Sequence, residues 1–207
     1  MKDELQLKTR DVEFLLYEVF NVDDLVENER YSHHDRETFA SVIELARDFG
    51  EQKFYPLARP LDQNEPYLKD NKVVTIPELK NILDEYNELG FSKMSADSAF
   101  GGMQLPFVIA QAAGAFLAAA NVSATAYSFL TTAAANLLAK YGTNSLKNKF
   151  LGPMIEGRFF GTMNLSEPQA GSSLADIKVK AKQTESEHYL ISGTKMWISG
   201  GEHELSD

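Results

Sequence analysis

The chain has 207 residues, enough for one domain or two small ones with a true apolar core. Its formal net charge of -10 argues against a general nucleic-acid binder, because such proteins need clustered Lys and Arg. The absence of Cys excludes disulfides, zinc-thiolate sites and thiol nucleophiles, and it fits a reducing compartment. The longest apolar run, 105–120, is too short and too polar-flanked to cross a membrane. Because residues 1–4 show no pattern of a secretory signal and the chain has no Cys, we expect a cytoplasmic protein.

The first part of the chain is predicted to be helical. Residues 11–20 have near-helical apolar spacing and predict a short helix or an extended docking arm. Asp35 is a candidate N-cap for an amphipathic helix that ends near Pro56. The prolines that follow, up to Pro66, predict irregular structure.

Three more segments continue the helical pattern. A helix is expected between Thr75 and Gly90, with Pro77 in its first turn. Phe107–Ala120 and Val122–Tyr141 predict two helices that are apolar all round and therefore buried, with a break at Asn121 between them.

One more helix is predicted at the end of this block. Asn144 is its candidate cap, Leu146, Phe150 and Ile155 would point inward, and Gly157 would end it.

The pattern then changes to one of short strands. Period-two alternation and turn residues predict strands at residues 158–166, 177–182, 188–192 and 195–199. The last two would form a hairpin at Ser192-Gly193, and Lys195, Trp197 and Ser199 would share one face of the final strand.

Helices followed by antiparallel strands predict an α+β fold with a boundary near Gly157. We expect an all-helical N-terminal domain over residues 1–157 and the start of an antiparallel β domain over residues 158–207. Because a sheet begun so late lacks partner strands, we expect the sequence to be a piece of a longer protein, cut inside its β domain.

A loop of small residues follows the first predicted strand. Pro168 should end that strand, and 170–173 then offers main-chain amides and hydroxyls to which a flat ligand could bind. On spacing alone, an ordinary strand-to-loop exit explains this loop equally well. Half-buried packing on a sheet likewise explains Trp197 when it is considered alone.

Two segments together resemble the paired flavin-binding segments of acyl-CoA dehydrogenases. They are Leu165-Ser166-Glu167-Pro168-Gln169-Ala170-Gly171-Ser172-Ser173 and Gly193-Thr194-Lys195-Met196-Trp197-Ile198-Ser199. Residues 11–20, 35–38, 100–106 and 200–206 resemble the large bacterial branch of this family, which includes 3-methylmercaptopropionyl-CoA dehydrogenases.

The resemblance implies an FAD cofactor and a set of residues that bind it. This set comprises Met163, Leu165, Ser166, Gly171, Ser172, Trp197, Ile198 and Ser199. Ser166 would lie near the pyrimidine edge of the flavin, Ser199 near its N5 atom, and Ser172 near FAD or the CoA end of the substrate. One departure is Ser173, which stands where the family usually has Asp and leaves cofactor affinity open.

The implied reaction is α,β-dehydrogenation of an acyl-CoA thioester, with electron-transferring flavoprotein reoxidising the flavin. The family places its catalytic Glu in a C-terminal helical domain, so no catalytic base is assigned here, and Glu167, Glu202 and Glu204 are not candidates. We therefore expect this chain alone to be inactive. Family members are homo-oligomers, so the parent protein is expected to be one too.

Three alternatives stay open. An acyl-CoA oxidase would pass electrons to oxygen, and a relative of the alkylation-response DNA-binding flavoproteins is disfavoured by the acidic charge. A non-catalytic interaction module would retain the flavin motifs only as relics.

Two further features carry weaker predictions. His33-His34 predicts a solvated loop rather than a metal site, because adjacent side chains diverge and no third ligand has suitable spacing. The small apolar residues of 119–130 are hypothesised to line the acyl pocket, with Ala124→Phe as the test.

Overall fold

A computed structural model of the chain describes residues 7–186 and 188–206. The α-helices are α1 Thr9–Glu13, α2 Arg36–Phe49, α3 Tyr55–Gln63, α4 Pro77–Glu88, α5 Phe107–Ala120, α6 Val122–Tyr141, α7 Asn144–Leu146 and α8 Gly152–Ile155. The strands are β1 Tyr67–Lys69, β2 Lys72–Val74, β3 Lys180–Gln183 and β4 Tyr189–Ser192. This arrangement confirms the predicted α+β class, with helices first and a small antiparallel sheet after them.

The first predicted helix is present but changes its winding. α1 continues directly into a π-helical turn, Phe14–Val19, and Leu16 is buried in the core. After two 3₁₀ turns, Val22–Glu27 and Glu29–Tyr31, α2 begins behind the predicted cap. Its Asp35 side chain accepts a 2.7 Å hydrogen bond from the Thr38 N–H.

The prediction that this helix ends near Pro56 is wrong. A π-helical turn, Gly50–Phe54, joins α2 to α3 without a break, so that Pro56 lies in the first turn of α3. Pro56 has no N–H to donate to the preceding turn, so the continuous helix lacks one backbone hydrogen bond directly after its π turn. Pro60 lies inside α3, where irregular structure was expected.

A short hairpin follows α3, and the sequence analysis did not predict it. β1 pairs antiparallel with β2, in the register Tyr67 to Val74. The two turn residues, Asp70 and Asn71, have φ of 51° and 61°. These values are typical of a type I′ hairpin turn, which favours Asp and Asn.

The main core lies where α2 and the π turn after it pack along α5. Phe39, Ile109 and Phe116 are fully buried there. Beside them the rings of Phe54 and Tyr86 stack at 5.9 Å. The core thus binds the first helices to the α5–α6 pair, which lines the cavity described below.

α6 is not buried all round, contrary to the prediction. Its buried positions are small or polar residues at helical spacing, such as Ala124 and Ser128, whereas Val122 is 70% exposed and Phe129 is 68% exposed. Small side chains let neighbouring elements approach one face of α6, and the larger apolar ones project from the other.

The last helical segment follows the prediction with a shift. Thr143, not Asn144, is the cap, because its hydroxyl accepts a hydrogen bond from the Leu146 N–H at 3.3 Å. A π-helical turn, Lys147–Leu151, changes the register before α8. Leu151 and Ile155 are therefore buried, while the predicted inward residues Leu146 and Phe150 are not.

The final part of the chain contains fewer strands than predicted. β3 pairs antiparallel with β4, from the pair Lys180 and Ser192 to the pair Gln183 and Tyr189, so the predicted hairpin at Ser192-Gly193 is wrong. Residues 158–166 and 195–199 form no strand ladder with any described residue. Alternation alone does not make a strand, because the backbone groups also need a ladder partner.

None of the described helices is both long enough and apolar enough to cross a membrane.

Candidate functional site

The structure brings the two motif segments side by side. The Met196 N–H donates a 3.0 Å hydrogen bond to the Ser166 carbonyl. The Thr162 hydroxyl donates a 2.6 Å hydrogen bond to the Ser199 carbonyl. Residues that lie about 30 positions apart in the sequence therefore form one surface.

Glu167 is the polar centre of this surface. Its side chain is only 2% exposed. It accepts hydrogen bonds from the Lys195 Nζ at 2.8 Å and from the Gln169 Nε2 at 2.7 Å. It also accepts them from the N–H groups of Lys178 at 2.6 Å and Val179 at 3.0 Å. These partners satisfy both carboxylate oxygens.

These partners stabilise the ionised form of Glu167. The hydrogen bond from Lys195, opposed by burial and helped by the N–H groups of Lys178 and Val179, lowers the pKa of Glu167 from 4.5 to about 2. A carboxylate with this pKa and four donors is a poor proton acceptor near neutral pH. The geometry agrees with leaving Glu167 out of the candidates for the catalytic base.

The loop after Pro168 is a tight turn with an open outer side. Glu167 and Ala170 exchange backbone hydrogen bonds of 2.9 and 3.1 Å, and Ala170 is buried. A Cβ added to Gly171 would meet nothing within 4 Å. Ser172 is exposed, and its hydroxyl has no hydrogen-bond partner within residues 7–186 and 188–206. The predicted loop residues thus have free space and unused donors.

The loop is hydrogen-bonded at Ser173 although this position lacks the Asp that is usual in the family. The Ser173 carbonyl accepts a 3.0 Å hydrogen bond from the Asp176 N–H, at the start of the 3₁₀ turn Leu174–Asp176. This contact is made by the backbone and needs no carboxylate at position 173.

Trp197 does not have the predicted strand geometry. Its φ of 58° lies in the left-handed region, so the expected shared face of Lys195, Trp197 and Ser199 does not form. The Trp197 side chain is 84% exposed, and Ile198 beside it is partly buried. On the other segment, Met163 and Leu165 are also exposed. Both segments therefore carry accessible apolar groups.

The segment after Ser199 returns to the helical part of the chain. Leu205 is buried in the main core. The His203 ring lies 5.4 Å from the Tyr127 ring and 5.5 Å from the Phe160 ring. Its Nδ1 accepts a 3.2 Å hydrogen bond from the Leu205 N–H, and burial lowers the pKa of His203. This packing anchors one end of the second motif segment.

The same segment also contacts the first hairpin. The Glu202 carboxylate accepts a hydrogen bond from the Val73 N–H, and Lys72 forms a 2.8 Å ion pair with Glu204. Neither Glu202 nor Glu204 contacts the 163–173 loop in the described hydrogen bonds.

A cavity of about 640 Å³ lies beside α5 and α6. Apolar side chains such as Phe107, Leu117 and Phe129 form much of its wall, and the hypothesised residues Val122 and Ala126 contribute too. The range 119–130 is thus only partly involved. Ala124, the position chosen for the test, does not line this cavity, because it is fully buried in the helical core.

One wall of this cavity is polar. Ser92, Ser95, Ser128 and Thr132 line both the large cavity and an adjoining void of about 20 Å³. The Ser92 Oγ is buried without a hydrogen-bond partner among the described residues. The void is large enough for one water molecule.

Tyr86 belongs to the same wall. Burial raises the pKa of Tyr86 to about 12, although a hydrogen bond with Ser128 acts in the opposite direction. The phenol is therefore a neutral hydrogen-bonding group at physiological pH, close to the serine side chains.

The side chains of His33 and His34 do not diverge as predicted, because their ring centroids are 4.1 Å apart. The His34 Nε2 lies 3.0 Å from the Met103 carbonyl. Among the described residues, no group of three or more His, Cys, Asp or Glu side chains is placed to hold a metal ion.

Comparisons with known proteins identify the family. The family model described as "Acyl-CoA dehydrogenase, N-terminal domain" matches residues 36–158, which is more than half of the chain. The chain belongs to the acyl-CoA dehydrogenase family. The match confirms the family that the sequence resemblance implied.

Several acyl-CoA dehydrogenases are similar to this chain. The 3-methylmercaptopropionyl-CoA dehydrogenase of Ruegeria pomeroyi is 31% identical over 98% of the chain, which covers 34% of that protein. The mitochondrial isobutyryl-CoA dehydrogenase of Dictyostelium discoideum is 30% identical over 81% of the chain, which covers 36% of that protein. The chain spans about a third of the length of these curated relatives.

The fold agrees with a solved acyl-CoA dehydrogenase. The butyryl-CoA dehydrogenase of Megasphaera elsdenii superimposes with a TM-score of 0.67 at 26% identity, over 79% of this chain and 41% of that one.

Sequence reasoning singled out the two motif segments but missed the contacts that join them. The ion pair between Glu167 and Lys195 was not predicted, although each residue lies inside one of the two motifs. Opposite charges in two segments expected to share a site are a signal that could have suggested the pair.

Proposed function

We propose that the protein is an FAD-dependent dehydrogenase of acyl-CoA thioesters, and that residues 158–206 supply one side of its flavin site. The observation that carries this proposal is the 3.0 Å hydrogen bond between Met196 and Ser166, which places the two family motifs against each other. Either motif alone is compatible with an ordinary loop.

The residues of this surface fit a flavin, which is a broad apolar ring system with a polar edge. Trp197, Ile198 and Met163 offer apolar contact, and the Ser172 hydroxyl and the open backbone at Gly171 offer hydrogen bonds. Ser166, Leu165 and Ser199 complete the proposed set. When bound, FAD would supply the acceptor for the hydride that leaves the acyl β-carbon.

The cavity beside α5 and α6 is proposed to hold the acyl chain. Its volume of about 640 Å³ and mostly apolar walls suit a short or medium hydrocarbon group. The helix α6, which lines this cavity, also contacts the chain just before the first motif segment, because the Thr131 hydroxyl accepts a 3.0 Å hydrogen bond from the Gly161 N–H. Ser172 is the proposed contact to the CoA end.

No catalytic base is proposed among the described residues. Glu167 is held as a stable carboxylate, and Glu202 is bonded to the first hairpin. On the basis of the family, electron-transferring flavoprotein is the proposed electron acceptor. The full-length polypeptide, meaning the parent protein to which this chain is expected to belong, is proposed to be a homo-oligomer.

The decisive experiment mixes the purified full-length polypeptide with short and medium acyl-CoA thioesters in the absence of oxygen. We expect a flavin to copurify and its visible absorption to bleach as the thioester is oxidised. A folded protein that contains no flavin would support the non-catalytic module instead.

A second step separates the dehydrogenase from the oxidase. The bleached protein is exposed to air with and without electron-transferring flavoprotein. Slow recovery in air and fast recovery with the flavoprotein are expected, whereas equally fast recovery in air alone would favour an acyl-CoA oxidase.

A further inference from the structure

We propose that the Glu167–Lys195 ion pair positions the two motif segments, 165–173 and 193–199, relative to each other. The proposal rests on the proposed function, since it concerns how the same surface is held in shape. Neither side chain needs to contact the flavin for this role.

Glu167 reaches three parts of the chain with one carboxylate. Its Oε1 accepts from the Lys195 Nζ and the Val179 N–H, and its Oε2 accepts from the Lys178 N–H and the Gln169 side chain. The first segment is thereby joined to the start of the β3–β4 hairpin and to the second segment. Few backbone hydrogen bonds replace these contacts, because residues 158–166 and 195–199 form no strand ladder.

Lys195 holds the first segment at two points. Its Nζ donates to the Glu167 Oε1 at 2.8 Å and to the Leu165 carbonyl at 2.9 Å. The next residue, Met196, donates to the Ser166 carbonyl. Two consecutive residues of the second segment thus donate hydrogen bonds to three consecutive residues of the first.

The pair differs in burial from the exposed ion pairs of the molecule. The side chains of Lys195 and Glu167 are 19% and 2% exposed, whereas those of Lys72 and Glu204 are 67% and 61% exposed. Exposed pairs contribute little, but removal of one partner from a buried pair leaves a charge without compensation. Loss of the buried Glu167–Lys195 pair should therefore impair flavin binding more than loss of the exposed Lys72–Glu204 pair.

The residues beside the pair are the ones proposed to bind flavin. Leu165 and Ser166 precede Glu167, and Trp197 lies two residues after Lys195. A shift of either charged side chain would move these neighbours together. We expect the effect to appear as altered flavin binding and altered flavin environment.

The test compares variants of the full-length polypeptide for FAD affinity. Lys195→Met and Glu167→Gln are each expected to raise the Kd for FAD about tenfold or more, since each removes charge-assisted hydrogen bonds. Lys195→Arg should recover part of this loss. Lys72→Met, which removes the exposed pair, should stay within about twofold of wild type.

A spectroscopic readout distinguishes positioning from general destabilisation. At saturating FAD, Lys195→Met should change the visible circular dichroism of the bound flavin, while far-ultraviolet circular dichroism reports intact helices. If Lys195→Met does not fold, the Glu167→Gln result decides, because Gln preserves the side-chain shape.

The outcomes separate the two proposals. A wild-type protein that binds no FAD overturns the proposed function, and this proposal with it. Wild-type binding together with unchanged affinity and unchanged flavin circular dichroism in both variants overturns the positioning role alone.

Discussion

At Glu167, folding converts an ordinary carboxyl group into a stable anion. Its lowered pKa means that the folded state binds its proton more weakly than the unfolded state does. This contribution to the free energy of unfolding is fully present above the unfolded pKa of about 4.5 and is lost as the pH falls towards about 2.

The pH dependence of stability tests this assignment. We expect the stability difference between wild type and Glu167→Gln to be constant from pH 7 to about 5 and to shrink between about pH 4.5 and 2. Denaturant unfolding monitored over this range gives the difference directly. A difference that is independent of pH throughout would contradict the assigned ionisation.

Two glycines with similar backbone angles differ in their surroundings. Gly157 has a φ of 76°, and a Cβ added there would lie 2.1 Å from the Asn87 Cγ. Gly101 has a φ of 83°, and nothing lies within 4 Å of such a Cβ.

Replacement by Ala should therefore have unequal costs. Gly101→Ala carries only the backbone penalty of about 1–2 kcal/mol. Gly157→Ala must also displace the Asn87 side chain and should cost at least about 1 kcal/mol more. Thermal or denaturant unfolding measures both variants, and equal losses would show that Asn87 moves away freely.

Among single residues, Trp197 shows which structural features could not be predicted from the sequence. Its place in a motif was recognisable, and its apolar neighbours suggested a strand. The left-handed backbone at Trp197 directly follows Lys195 and Met196, which both hydrogen-bond to the first segment. Such tertiary contacts are not visible in the alternation of residue types.

At the level of elements, Asn121 defines the break between α5 and α6. Its side chain accepts a 3.0 Å hydrogen bond from the Ala124 N–H and donates one of 3.1 Å to the Phe54 carbonyl. One buried amide thus caps α6 and joins it to the π turn after α2. The helix bounds here were predictable because the break residue is also a good cap.

Removal of this amide should be costly. Asn121→Ala is expected to lower the free energy of unfolding by about 2–3 kcal/mol, since it removes a cap and leaves buried groups unpaired. Asn121→Ser keeps the cap and should lose roughly half as much. Thr143→Ala removes only the exposed cap of α7 and should cost about 1 kcal/mol or less. Similar losses for Asn121→Ala and Thr143→Ala would contradict this ranking.

Other elements were harder to predict for identifiable reasons. The helix continues through a π turn and past Pro56, so this proline did not mark the end of the helix as its sequence position suggested. The exposed apolar face of α6 could not be predicted either, because hydrophobicity around a helix does not specify what packs against it. Composition predicts the helix but not its neighbours.

The cavity beside α5 and α6 makes a prediction about substrate preference. Ala126 lines it, and a Phe there should exclude longer acyl chains, so that kcat/KM falls about tenfold or more for medium chains relative to short ones. Ala119→Phe, on the exposed side of α5, is the matched control and should leave the ratio unchanged. Equal chain-length profiles for both variants would show that the acyl chain binds elsewhere.

For the whole molecule, the succession of a helical block and a later antiparallel hairpin was predictable, whereas the first hairpin and the joining of the two motif segments were not. Residue spacing predicted the helical block and both strands of the later β hairpin but paired the second of them with the wrong segment, and the resemblance gave the family. The contacts of Glu167 and the return of Leu205 to the core needed coordinates, because they link residues far apart in sequence. The chain spans about a third of its curated relatives, so these contacts describe one side of the proposed site.

Trp197 offers the most direct measurement of the central claim, because it is the only Trp in these 207 residues. The emission difference between the full-length polypeptide and its Trp197→Phe variant isolates this side chain during a titration of the apoprotein with FAD. We predict saturable quenching of the Trp197 emission that follows flavin binding measured independently by retained absorbance. FAD binding without any change in Trp197 emission, or no FAD binding by a folded protein, would contradict the account.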